Sequence, residues 1–173
     1  MKDIQNIMND IQYGYLYNGI NIFNHENEYD IDEIYHLQSP EEVLHNKYAI
    51  CWDQVELERK LFQEKNYPIK TYFIYYLEKQ DQLFTHTFLV YKENDKYYWY
   101  ENAWDSYKGI HEYKNIDDCL EDIFHKFINE KNPSNESTYY LYEYKTPPYH
   151  ITSYELFQFI RKQKLVQKID KLV

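Results

Sequence analysis

Cysteine and histidine are the pair with which proteins carry out thiol catalysis. The thiolate attacks an acyl carbon, the imidazole exchanges the proton, and a third polar group orients the imidazole. The chain has two cysteines, Cys51 and Cys119, in unlike settings. Cys51 opens the run CWDQVELERKLFQEKN, in which Val55, Leu57, Leu61 and Phe62 fall on one arc of a helix that also holds Cys51. At a helix N-terminus the peptide dipoles favour the thiolate, and first-turn N–H groups face a developing oxyanion. The bland reading of such a cysteine is a small buried hydrophobe. Glu58 lies on the same apolar arc, which calls for a partner or a rotated helix. Cys119 sits in a helical repeat with Ile116, Leu120, Ile123, Phe124 and Phe127, and is expected to be structural.

His86 stands between Thr85 and Thr87 in THTFLVY, a run of strand formers. This run, then ENDK, then YYWYENAW, predicts a β-hairpin turning at Asn94-Asp95. With a two-residue turn, opposed residue numbers sum to a constant, so His86 faces Ala103 and Phe88 faces Glu101. Glu101 then shares the face of His86 as a diagonal neighbour. An odd-length turn brings Asn102 to that face instead. Asp105 has the parity of Glu101 but lies beyond the expected strand end. The order of preference for an orienting residue is Glu101, Asn102, Asp105.

Trp52 and Trp104 adjoin Cys51 and the third member; they are candidate walls of a substrate groove or plain core. The remaining histidines, His25, His36, His45, His125 and His150, are scattered, and His111 beside Glu112 falls on an expected loop. None has the spacing of a metal ligand set, so no metal and no organic cofactor is expected. Three glycines leave no phosphate-cradling loop.

The elements that would position these groups follow from pattern. Residues up to about Asn24 read as a short helix and a Tyr-rich segment, and HENEYDIDE as polar and exposed. In LQSPEEVL, Ser39 is an expected N-cap, Pro40 the first helical residue, and Glu41 and Glu42 first-turn acids. IKTYFIYYLE and TYYLYEY read as strands, NIDDCLEDIFHKFINE as a helix capped by Asn115, and NPSNES as a loop. A helix is expected from about Ser153 to residue 173, with Arg161, Lys162, Lys164, Lys168 and Lys171 on its wet face. The fold class is α+β: a nucleophile helix packed on an antiparallel sheet, one domain over residues 1–173 with a core over about 36–145.

The segment CWDQVELERKLFQEKNYPIKTYFIYY, with HTFLVY and YYWYENAW, resembles the transglutaminase-like superfamily, which shares the papain-like arrangement. There a cysteine opens a helix, a histidine strand follows, and the next strand ends in an acidic residue. The likeness covers about Tyr48 to Tyr113. It implies Cys51 as nucleophile, His86 as general base and acid, and Glu101 as orienting residue. Where that family usually has aspartate this chain has glutamate, and YAIC lacks the small residue common before the cysteine.

With 29 acidic residues against 19 basic ones the net charge is -10, so nucleic acid and anionic membrane are not expected partners. No apolar run approaches the roughly 20 residues of a membrane span, and MKDIQNIMND has no secretory apolar core. Two unlike cysteines make no disulfide framework, so a reducing cytoplasm is expected. Aromatics reach 20%, including 22 tyrosines, which predicts a folded chain with a tyrosine-rich core margin. The expectation is a bacterial cysteine hydrolase or acyltransferase acting on a protein, peptide or other amide, with water or an amine as acceptor. The alternative is an inactive binding module of the same fold; either suits an accessory protein of a phage or mobile element. Oligomeric state is not specified.

Overall fold

A computed structural model describes residues 1–24, 29–77, 83–131 and 137–169. In chain order it contains α1 (Lys2–Asn9), the two-residue strands β1 (Gln12–Tyr13), β2 (Leu16–Tyr17) and β3 (Ile20–Asn21), α2 (Ile31–Ile34) and α3 (Pro40–Asn46). Then come β4 (Tyr48–Ala49), α4 (Cys51–Glu64), β5 (Ile69–Leu77), β6 (Leu83–Glu93), β7 (Lys96–Glu101) and β8 (Gly109–Tyr113). The chain ends with α5 (Ile116–Lys131), β9 (Thr138–Tyr144), α6 (Ser153–Arg161) and β10 (Lys164–Ile169). No described helix is long and apolar enough to cross a membrane.

Six strands form one antiparallel sheet in the order β10-β9-β5-β6-β7-β8. Successive side chains alternate between its faces. One face carries Leu89, Tyr91 and Tyr100 against Leu57, Leu61 and Phe62 of α4. The other carries Tyr72, Phe88 and Trp99 against Cys119, Ile123 and Phe127 of α5. Cross-strand rings lock the register: Tyr75 stacks on Tyr140 with centroids 4.8 Å apart, and Tyr72 on Phe88 at 5.3 Å.

Helix starts follow their local chemistry. Ser39 caps α3 and Glu42 reaches back to it, a complete capping box with Pro40 in the first turn. Asn115 Oδ1 accepts from Asp118 N–H at the start of α5. The hairpin turn falls at Asn94 and Asp95, both at positive φ, and the β6–β7 pairs run from Glu93↔Lys96 to Leu89↔Tyr100.

Four expectations change. The pairing of Phe88 with Glu101 and of His86 with Ala103 does not form, because the ladder ends at Leu89↔Tyr100 while β6 continues to Leu83. His111 lies not on a loop but in β8, opposite Trp99 and stacked on its indole at 4.5 Å. The core also extends before residue 36, since Ile4, Met8 and Ile11 pack with Leu57 and Phe62. The helix expected over about 153–173 ends at Arg161, and Lys164 to Ile169 pair with β9 instead. The open hydrogen-bonding edge of β9 outweighs the weak helical preference of Leu165-Val166, and lysines on the new edge discourage further pairing. Most of the NPSNES loop, residues 25–28 of HENEYDIDE, and Lys171 lie outside the described residues.

Candidate active site

Cys51 is the first residue of α4, a 14-residue helix buried on nearly every side. The N-cap position is Ile50, which has no acceptor, so no side chain caps the first-turn N–H groups there. α3 and α6, by contrast, carry Ser39 and Thr152 capping boxes. An apolar N-cap leaves the positive end of the α4 dipole open beside the thiol.

Asp53 holds this helix start in place. It is fully buried and accepts from the backbone N–H of Ile50 (3.1 Å) and Gln38 (2.9 Å) and from the Tyr35 hydroxyl (2.7 Å). Burial pushes its carboxyl up to about 6, against these three hydrogen bonds that pull it down. Burial and the Asp53 charge in turn push the Tyr35 hydroxyl well above its usual range, which keeps it a donor. Neither residue stood out in the sequence; the legible signal was a carboxylate two residues after the cysteine, where a third-position acid reaches back to the N-cap.

His86 and Glu101 are both buried. By alternation they belong to the sheet face of Phe88 and Trp99, opposite α4. They meet Cys51 at the end of the sheet where β7 has left β6, and all three groups interact there. His86 Nε2–H donates to Glu101 Oε2 at 2.8 Å. The other carboxylate oxygen of Glu101 accepts from Ala103 N–H (2.9 Å) and Trp104 N–H (2.8 Å). The turn after β7 thus fixes Glu101, and Glu101 fixes His86. With Nε2 so engaged, Nδ1 is the ring nitrogen left for the Cys51 thiol, which lines the same cavity as His86. Burial disfavours the charged ring, but the Glu101 charge and the hydrogen bonds to Cys51 and Glu101 outweigh it and raise the pKa of His86 to about 10. The Glu101 carboxylate therefore favours the imidazolium form.

Asn102 points elsewhere. Its Nδ2 donates to Gln54 Oε1 (2.7 Å) and the Met8 carbonyl (3.2 Å), and Gln54 Nε2 donates to the Ala49 carbonyl (2.9 Å). This network ties the end of β7 to α1 and to the start of α4. Asp105 is exposed at the rim. Glu58, two turns after Cys51, is 2% exposed and its Oε2 has no hydrogen-bond partner. Burial and the nearby Glu101 charge push its carboxyl well above the usual range, while His86 pulls it back. Burial of the acid on the apolar arc of α4 thus favours its neutral form.

Two cavities meet at Cys51, Thr85 and Tyr13. One, of about 630 Å³, has Trp52 in its wall; the other, of about 250 Å³, holds His86 and Trp104. Trp104 packs edge-on to His86 with centroids 5.0 Å apart. Cys119 is fully buried under α5, and burial pushes its thiol far up.

No model of a known protein family matches this chain, and no curated protein matches it either.

Proposed function

We propose that the chain is a cysteine-dependent acyl-transfer enzyme of transglutaminase-like type, with Cys51 as nucleophile, His86 as acid and base, and Glu101 as the positioning residue. The observation that carries this reading is a thiol at the uncapped start of a buried helix, sharing a cavity with an imidazole held at Nε2 by a doubly anchored carboxylate. In the first step the Cys51 sulfur bonds to an amide carbonyl carbon, and the oxygen takes the negative charge beside the N–H groups of the first α4 turn. The C–N bond then breaks, His86 Nδ1–H gives its proton to the departing nitrogen, and a thioester remains. Water or an amine attacks that thioester, His86 takes the proton back, and the thiolate leaves. Glu101 keeps the ring aligned through both steps without itself changing protonation.

The test is the rate of Cys51 alkylation by iodoacetamide between pH 5 and 9, read by intact-mass spectrometry on wild type and His86→Ala. Cys119 serves as the internal control, since it is 0% exposed against 7% for Cys51 and lines neither cavity. Fast labelling at neutral pH that falls on the order of 10–100-fold in His86→Ala supports a working thiolate–imidazolium pair. Slow labelling that is indifferent to His86 overturns the proposal and leaves a binding module.

A further inference from the structure

Among the described residues, the two cavities at Cys51 have three lining residues in common: Tyr13, Cys51 and Thr85. Each belongs to a different element, β1, the start of α4 and β6. The passage from one cavity to the other therefore runs over the thiol and is bounded by the Tyr13 ring and the β-branched Thr85. An acyl carbon must reach the Cys51 sulfur in order to react. The carbon next to it then lies in this passage, whichever cavity the rest of the acyl group enters.

Tyr13 is held there by the segment from Gln12 to Asn24. β1 pairs in parallel with β4, directly before the nucleophile, with Tyr13 opposite Ala49. Gln12 N–H donates to the Lys47 carbonyl at 2.8 Å, and Gly14 N–H to the Ala49 carbonyl at 3.3 Å. Asn21 closes the segment on itself. Its Oδ1 accepts from Tyr15 N–H (3.2 Å) and Phe23 N–H (3.3 Å), and its Nδ2 donates to the Tyr13 carbonyl (3.4 Å). Gly14 stands against this carboxamide at a φ of +145°, where a Cβ would overlap it. Phe23 packs edge-on to the Tyr13 ring with centroids 5.5 Å apart. At 46% exposure the ring adds little to the core; what it supplies is a fixed wall beside the thiol.

We infer that Tyr13 is a specificity-determining residue of this site: with Thr85 it confines the passage over Cys51, so that acyl groups unbranched at the carbon next to the carbonyl reach the sulfur and branched ones are rejected. Gly14 and Asn21 are positioning residues that act through Tyr13. This rests on the acyl-transfer reading and adds to it a selection by shape. A methyl branch at that carbon has to displace either the ring or Thr85, and both stand on hydrogen-bonded strands.

The test uses two isomeric activated esters, p-nitrophenyl butanoate and p-nitrophenyl 2-methylpropanoate, each rate divided by that of free cysteine with the same ester. Nitrophenolate release and the mass of acyl-Cys51 are the readouts. Wild type is expected to favour the unbranched ester by about tenfold, the lower end of what one misplaced methyl costs in a shaped site. Tyr13→Phe keeps the ring and should keep the preference. Tyr13→Ala opens the passage and Gly14→Ala shifts the wall, so in both the ratio should fall to within about twofold of unity. Both esters are measured on the same protein, so partial unfolding lowers both rates and leaves their ratio unchanged. Should Gly14→Ala fail to fold, Tyr13→Ala at its half-exposed position carries the test. Equal relative rates on wild type, or a preference that survives Tyr13→Ala or vanishes in Tyr13→Phe, overturns the inference, while His86-dependent alkylation of Cys51 keeps the catalytic reading. Loss of that dependence removes both.

Discussion

At the scale of single residues, the polarity of the site is set by which groups hold which. Glu101 accepts three hydrogen bonds and His86 donates one of them, so the charge on the imidazole depends on a carboxylate that the backbone of Ala103 and Trp104 has already fixed. The consequence for pH follows in sign. A histidine raised from 6.5 to about 10 adds stability that is fully present below about 6.5 and is lost as the pH climbs through about 10. In Glu101→Gln the charge that raises it is gone, so the loss moves to lower pH. Urea midpoints of the two proteins across pH 6–10 measure this; superimposable profiles would mean that Glu101 does not control the imidazole. The same variant is expected to slow Cys51 alkylation near pH 8, where the ring would no longer stay protonated.

At the scale of elements, α4 is unusual in how much of its polar surface is buried. Its start is fixed by Asp53, its middle by the Glu56–Arg59 pair, and between them Glu58 sits without a hydrogen bond to Oε2. The groups around Glu58 are Cys51 and Glu56 on its own helix, His86 on β6, and Glu101 and Tyr100 on β7. An acid whose pKa is raised on folding contributes stability at low pH and loses it as the pH rises. Glu58→Gln keeps the shape and removes the titration. The variant should match wild type within about 1 kcal/mol at pH 4.5 and lose less stability than wild type by pH 9, by an amount on the order of the 1–3 kcal/mol of a buried polar mismatch. Equal losses at pH 9 would show that Glu58 ionises freely in the fold. A helix read from sequence as one apolar arc with an anomalous acid is thus a central helix whose polar residues each have a distinct environment.

At the scale of the molecule, α4 is joined to β5 and β9 by charge as well as by packing. Arg59 pairs with Glu56 at 2.8 and 3.1 Å and donates to Thr71 Oγ1 at 2.6 Å, while the Tyr144 hydroxyl donates to Glu56 at 3.3 Å. Glu56→Ala leaves a buried guanidinium unmatched and should cost about 3–5 kcal/mol in urea unfolding; the double variant Glu56→Leu/Arg59→Met should cost much less. Similar losses for the two would mean that the charges contribute nothing beyond their volume. How much of this architecture the sequence carried depends on the range of the interactions involved. Period and capping are local, so the helix beginning at Cys51, the Ser39 N-cap, the Asn94-Asp95 turn and the parity that ranked Glu101 first could be read along the chain. β8 and β10 could not, because each exists to complete an open strand edge supplied by distant residues. Nor could the burial of α1, the grip of Asp53 on Tyr35 and Gln38, the turning of Asn102 toward Gln54, or the upward push on the Glu58 carboxyl. Those depend on solvent exclusion and on partners far apart in sequence. By itself the sequence determined which groups were available for chemistry and which helix or strand bore them. Only the tertiary structure decided which of them meet, because the approach of α4 to His86 requires β6 and β7 to part, and that is a property of the whole sheet.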